Sequence, residues 1–156
     1  MSTNEKILSA SRPRLLVASD HAGFDLKEWL KLEMSNEIEW IDLGPDSISR
    51  VDYPDFADRL AYQVTTQNER GVLICASGQG MAMRANRYPD VRAALVWNEE
   101  TVRLAREHND ANVICLGSRL LPAELCKTLI QVFLQTPFEG GRHTTRIEKL
   151  SHPVLC

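Results

Sequence analysis

The sequence predicts an α/β fold: a doubly wound, Rossmann-like parallel sheet of about five strands with helices on both faces. Short apolar runs recur at residues 14–19, 37–43, 71–75, 91–96 and 112–116, and each is followed by a segment whose apolar residues repeat at helical spacing. The runs are mostly apolar rather than alternating, as expected of strands buried on both faces of a parallel sheet.

The first run, Arg14-Leu-Leu-Val-Ala-Ser19, stops at Asp20-His21-Ala22-Gly23, which reads as a buried strand feeding a loop. Leu26, Trp29, Leu30 and Met34 then mark a helix, for which Asp25 supplies the N-terminal cap signal. Phe56, Leu60 and Val64 mark the helix after the second run. The third run enters a small-residue loop, Cys75-Ala-Ser-Gly-Gln-Gly80, and a helix beginning near Met81. Val102 with Leu104 and Ala105 mark the next helix, and Leu125, Leu129, Ile130 and Phe133 the one after the fifth run.

A chain of 156 residues, 44% apolar, can bury one core without disulfide or metal support. It divides into a polar N-terminal extension (1–13), a single domain (14–150) and a short tail (151–156), with no internal repeat. A net charge of -3 with both signs interspersed offers no basic stripe for nucleic acid. The opening residues lack the apolar run of a secretory signal, and no stretch approaches the roughly 18 apolar residues of a membrane span. A cytoplasmic protein with no membrane partner is expected. Cys75, Cys115, Cys126 and Cys156 form no C-x-x-C pair, so reduced thiols are expected, three of them packing residues.

In such a sheet the ligand crevice lies beyond the carboxyl ends of the strands, which selects residues 20–23, 75–80, 98–100 and 117–119. The loop after Cys75 can wrap an anion or be only a tight turn. Gly78 and Gly80 permit close backbone approach, and the N–H groups of residues 76–80 lead into a helix. Gly78-x-Gly80 lacks the third glycine of a dinucleotide fingerprint and the Gly-Lys-Ser/Thr of a P-loop, which disfavours nucleotides. Cys75 stands beside that helix start, where thiolate is favoured, although a lone cysteine at a strand end can equally be a small packing residue. His21 and His108 are open between acid-base or phosphate-binding roles and ordinary loop or helix-end roles. Arg142 and Arg146, four apart, share a face if their segment is helical and offer two forks to a phosphate, or are simply solvated.

Six segments occur in one order: Ser19-Asp-His-Ala-Gly-Phe24, Asp52-Tyr-Pro54, the Cys75 loop, His108-Asn-Asp-Ala-Asn112, Gly117-Ser-Arg119 and Glu139-Gly-Gly-Arg-His143. Together they make the chain resemble the ribose-5-phosphate isomerase B and galactose-6-phosphate isomerase family, over about residues 14–150. The resemblance implies a homodimer or homotetramer whose active sites are shared between subunits, with a sugar phosphate as ligand and neither metal nor cofactor. It makes Cys75 the base that moves the proton between C1 and C2, Ser77 its assistant at the oxygens, and His108 the residue that opens the furanose ring. Asp20 and Asn109 would bind sugar hydroxyls, and His21, Arg119, Arg142 and Arg146 the phosphate. Tyr53, Ala76, Gly78, Gln79 and Gly80 complete the expected binding surface. The family usually has glycine, then threonine or serine, after the cysteine, and a branched apolar residue where Gln79 stands. Ribose 5-phosphate is the expected substrate, with galactose, allose or erythrulose phosphate as alternatives. A non-catalytic sugar-phosphate sensor would need the arginines but neither Cys75 nor His108. A redox protein would need a paired cysteine motif.

Overall fold

The computed structural model describes residues 11–154. Its strands are β1 (Arg14–Ser19), β2 (Glu39–Asp42), β3 (Gly71–Cys75), β4 (Ala93–Leu95) and β5 (Val113–Gly117). They form one all-parallel sheet in the order β2-β1-β3-β5-β4. The helices are α1 (Phe24–Glu33), α2 (Tyr53–Gln67), α3 (Gln79–Ala85), α4 (Glu99–Asn109), α5 (Ala123–Gln135) and α6 (Thr144–Ser151), with a 3-10 turn at Gly141–His143. The expected architecture is the observed one. The expected N-terminal extension falls largely on residues 1–10, outside the described residues, as do the tail's last two, including Cys156.

The period of two along each strand sorts side chains into two cores. Leu15, Val17, Val72, Ile74, Ile114 and Leu116 face α1, α4 and α5, where Leu30, Val102 and Phe133 meet them. Leu16, Leu73, Val113 and Cys115 face α2 and α3, against Phe56, Leu60 and Met81. Leu104 is 40% exposed and belongs to neither, so only Val102 and Ala105 of the expected set define the buried face of α4. That helix carries a capping box, with the Asn98 side chain accepting from Thr101 N–H and the Thr101 side chain from the Asn98 N–H.

Several expected boundaries move. β2 and β4 are shorter than their apolar runs, β5 starts and ends one residue later, and α3 starts at Gln79. Asp25 does not cap α1. The N-cap is Gly23, and Asp25 lies inside the first turn, where its charge still suits the helix dipole. The carboxylate that reaches a backbone donor there is Asp20, which accepts from Gly23 N–H at 3.0 Å.

Lys27, on α1, is fully buried. Its Nζ donates to both carboxylate oxygens of Asp42 (2.8 and 2.6 Å), to Glu28 (3.0 Å) and to the Pro45 carbonyl (3.1 Å). This pins the strand-end turn 42–45 to the helix, and Gly44 O in turn accepts from Ser19 N–H at 3.0 Å. Burial pulls the Asp42 carboxyl upward, but bonds from Lys27, Lys31 and Gly44 N–H outweigh it and hold the group below the usual carboxylate range.

Candidate active site

The winding of the chain reverses between β1 and β3: from β1 it passes outward to β2, then crosses by α2 to β3 on the other side. That is where an open parallel sheet leaves a crevice at its carboxyl edge. Three loops are laced together there. Asp20 N–H donates to Ile74 O at 3.1 Å, and Ser118 and Arg119 N–H donate to the carbonyls of Cys75 (2.9 Å) and Ala76 (3.1 Å). Ser118 Oγ donates to Ala22 O at 2.8 Å. At Gly23 a Cβ would stand 2.6 Å from Ile74 O, so only glycine lets the first loop lie this close to β3.

Cys75 ends β3 and is 5% exposed. Its Sγ accepts Gly78 N–H at 3.1 Å, a contact made by the left-handed turn at Gly78, whose φ is 76°. Ser77 Oγ accepts Gln79 N–H at 3.4 Å. Of the five N–H groups in the expected anion loop, those of Gly78 and Gln79 thus meet the loop's own side chains. The sulfur is all but buried at the end of β3, and Ser77 lines a neighbouring cleft. Cys115 and Cys126 are different. Burial, with the neighbouring Cys75 adding to it, pushes the Cys115 thiol far up, and burial pushes Cys126 up to about 11, so both are neutral packing groups.

His21 is half-buried, with Nδ1 3.2 Å from Val51 O and 3.4 Å from Val51 N. Either contact occupies Nδ1 and leaves Nε2 for a ligand. Tyr53 opens α2 and lays its ring on Gly80, where a Cβ would come within 2.7 Å of the ring carbons. Arg119 is exposed just beyond β5. Beside them lies a cleft of about 220 Å³ lined by Ser77, Gln79, Leu95, Trp97, Gly117 and Leu120. Trp97 and Leu120, 57% and 66% exposed, were not among the expected residues. Their positions just past two strands' carboxyl ends were the available signal. Val51, which acts through its backbone, carried none.

His108, Asn109, Arg142 and Arg146 are elsewhere. α4 returns antiparallel to the strands, and Asn109 O accepts from Arg92 Nε just ahead of β4. These residues therefore sit at the amino edge of the sheet. Gly71 at that edge is separated from Cys75 by four residue steps, or about 13 Å of strand. Arg106, 2% exposed, braces this rim through Thr136 O (3.1 Å), Asp110 Oδ1 (2.8 Å) and Ala111 O (2.6 Å). The segment after α5 is fastened by Glu139 N–H donating to Glu107 O at 3.1 Å. It brings His143 to stack on His108, ring centroids 4.3 Å apart. Arg142 lies in the 3-10 turn and Arg146 in α6, both exposed. No residue of α6 is buried. The structure thus gathers Asp20, His21, Tyr53, residues 75–80 and Arg119 at one edge, and His108, Asn109, Arg142 and Arg146 at the other.

A family model described as Ribose/Galactose Isomerase matches residues 15–150. A probable ribose-5-phosphate isomerase B of Mycoplasma pneumoniae is 42% identical over 139 residues, which cover 87% of this chain and 91% of the relative. The crystal structure of a ribose 5-phosphate isomerase from Thermotoga maritima superposes with a TM-score of 0.87 at 43% identity, covering 90% of this chain and 99% of that one. A ribose-5-phosphate isomerase B from Mycoplasma genitalium, solved with bound ribulose-5-phosphate, gives a TM-score of 0.84 at 40% identity, covering 88% and 93%.

Proposed function

The chain belongs to the Ribose/Galactose Isomerase family, and from that premise we propose that it converts ribose 5-phosphate to ribulose 5-phosphate in the cytoplasm, residues 14–150 being the catalytic unit. It is an aldose-ketose isomerase of sugar phosphates. The pentose is favoured by the relative solved with ribulose-5-phosphate. The observation that carries the chemistry is the seating of Cys75 Sγ at the carboxyl end of β3, against Gly78 N–H.

Each step follows from a group at the crevice. Cys75, as thiolate, removes the proton from C2, and the electron pair forms the C1=C2 bond of an enediolate with its charge on O1. The same thiol returns the proton to C1, while Ser77 Oγ passes a proton from O2 to O1, so the atoms balance without a co-reactant. Asp20 holds sugar hydroxyls, and His21 and Arg119 take the phosphate, binding far enough from the reacting carbons to orient the open chain. Ring opening by His108, with Asn109, Arg142 and Arg146 as further ligands, requires a second subunit whose amino edge faces this carboxyl edge. We therefore take the working unit to be a dimer or a multiple of one, each site built from Cys75 of one chain and the partner's His108.

Turnover across ribose, galactose, allose and erythrulose phosphates, followed by NMR, tests the reading. Ribose 5-phosphate should be the best substrate and free ribose a poor one. A better hexose or tetrose phosphate would reassign the substrate, and binding without turnover of any would make the protein a sensor.

A further inference from the structure

We infer that His108, Glu139 and His143 form a binding site for a divalent transition-metal ion of the zinc class, and that a bound ion silences the isomerase by withdrawing His108 from ring opening. The silencing rests on the role proposed above for His108; the binding does not.

The three donor atoms lie within 4.8 Å of one another. Glu139 Oε2 stands 3.5 Å from His143 Nε2 and 3.9 Å from His108 Nε2. The chain builds this cluster from two distant pieces. Glu139 is tied to the end of α4 through Glu107 O, and the positive φ values of Gly140 and Gly141, 67° and 57°, turn the chain back so that His143 slides under His108. The His143 side chain is 6% exposed, and its Nε2 is buried with no hydrogen-bond partner among the described residues. A buried ring nitrogen whose nearest acceptor is a carboxylate oxygen at 3.5 Å is poorly satisfied as it stands. An ion between the two would satisfy both.

Two imidazoles and one carboxylate form a donor set suited to zinc, with a fourth position left for water. Imidazole also selects against calcium and magnesium, which take oxygen ligands. Tetrahedral bonds of about 2.0 to 2.1 Å put donor atoms about 3.3 Å apart, so the Glu139 contacts of 3.5 and 3.9 Å must tighten modestly and the two ring nitrogens, within 4.8 Å of each other, must close by up to about 1.5 Å. The stacked rings, 14° from parallel, must also splay so that their lone pairs converge. His108 and Glu139, 37% and 52% exposed, can make that adjustment, and nothing crowds the Cα positions of Gly140 and Gly141 between the two ligands on the tail. The neighbouring Arg142 and Arg146 disfavour weakly held cations and leave the coordinate bonds to supply the affinity.

Cobalt(II) is the probe, since its visible absorption reports both occupancy and ligand type. Chelator-treated full-length protein should take up one cobalt per chain with the spectrum of nitrogen and oxygen ligation, and zinc should displace it. Activity on the best sugar phosphate should fall in step with occupancy and return on adding EDTA. Glu139→Gln and His143→Gln, each checked for a native circular dichroism spectrum, should bind cobalt at least about 10- to 100-fold more weakly. Both should stay active at metal concentrations that silence the unsubstituted enzyme. No absorption band, a thiolate charge-transfer band, or equal inhibition of all three proteins would overturn the site, and full occupancy with undiminished activity would overturn the silencing. Binding is read without substrate, so a metal-free protein inactive on every sugar phosphate would count against the proposed function and not against the site.

Discussion

If each active site combines opposite edges of two chains, two inactive chains should make an active dimer. Four residue steps of β3 separate Gly71 from Cys75, about 13 Å, and His108 lies at or beyond the Gly71 edge. An open pentose phosphate spans only about 8 Å from C1 to phosphorus at ordinary single-bond lengths. A site that joins one chain's Cys75 to the partner's His108 fits that spacing better than one within a single chain. Cys75→Ala removes the base, worth about 10²- to 10⁴-fold in rate, and leaves the amino edge whole. The double variant Arg142→Ala with Arg146→Ala removes two charge-assisted contacts, about 1.5 to 3 kcal/mol each, and leaves the carboxyl edge whole. Equal mixing with free exchange gives about half heterodimers, each with one intact and one doubly defective site, so about one quarter of full activity should return. Against parents at about 1% or less, that is a rise of about 25-fold. The assay is turnover of ribose 5-phosphate after co-refolding differently tagged chains, with heterodimers counted by native mass spectrometry. Activity that stays at the parental mean while heterodimers are present would refute the shared site.

Cys75→Ala alone should unfold within about 1 kcal/mol of the unsubstituted protein in urea while losing isomerisation; unchanged turnover would make Cys75 a packing residue. Gly78→Ala should lose stability as well as activity, because a Cβ there meets Leu95 Cδ1 at 2.7 Å on a backbone with φ of 76°, a strain of about 1 to 3 kcal/mol visible as a lower urea midpoint. Asp42→Asn should cost about 3 to 5 kcal/mol at neutral pH, since it leaves the fully buried Lys27 ammonium without its main counter-charge. The Asp42 carboxyl is depressed in the fold, so its stabilisation is complete above the unfolded value of about 3.9 and is lost as pH falls through the folded value. Thermal midpoints should accordingly drop on the acid side of about pH 4, and the Asp42→Asn variant should show a shallower drop.

The sheet was legible because its strands are continuous apolar runs, and because apolar spacing in the helices matches the faces they bury. Leu104 misled for the same reason: an apolar residue beside Val102 and Ala105 looks like core, but it projects from the solvent side of α4. The Asp25 cap misled because two acidic residues flank the start of α1, and only the fold shows that Asp20, held over β3 by Ile74 O, is the one that reaches Gly23 N–H. Residues of the candidate site could be named from motifs, and the crevice rule set 20–23, 75–80 and 117–119 at the carboxyl edge, but the place of His108, Asn109, Arg142 and Arg146 was not read from it. That place depends on the direction in which α4 returns and on where the segment after α5 comes to rest, and neither is written in local spacing. The pairing of His143 with His108 was hidden for a related reason, since it joins positions 35 residues apart through two glycines.

The two edges are built to different standards of rigidity, and the proposed chemistry follows that difference. Cys75 sits at the end of a fully buried central strand, with its own carbonyl bonded to Ser118 N–H and its sulfur to Gly78 N–H, so the base has little freedom to leave its attack position. Arg142 and Arg146 stand on a turn and a helix that bury nothing within the chain except His143. A base must be positioned to a fraction of an ångström to act, whereas long guanidinium arms can find a phosphate from a range of backbone positions. Placing the proton transfer on the sheet and part of the phosphate grip on the packing-poor tail lets assembly complete the site without disturbing the group that does the chemistry. A substitution that loosens α6 should therefore raise KM for the sugar phosphate more than it lowers kcat, whereas one that loosens the 75–80 loop should do the reverse. Leu150→Asp, which puts a charge where α6 faces Ala105 and Ala111 across the rim cleft, and Gly78→Ala, which strains the turn that holds Cys75 Sγ, form the pair to compare. Matching changes in kcat and KM for both would show that the two edges are not divided in this way.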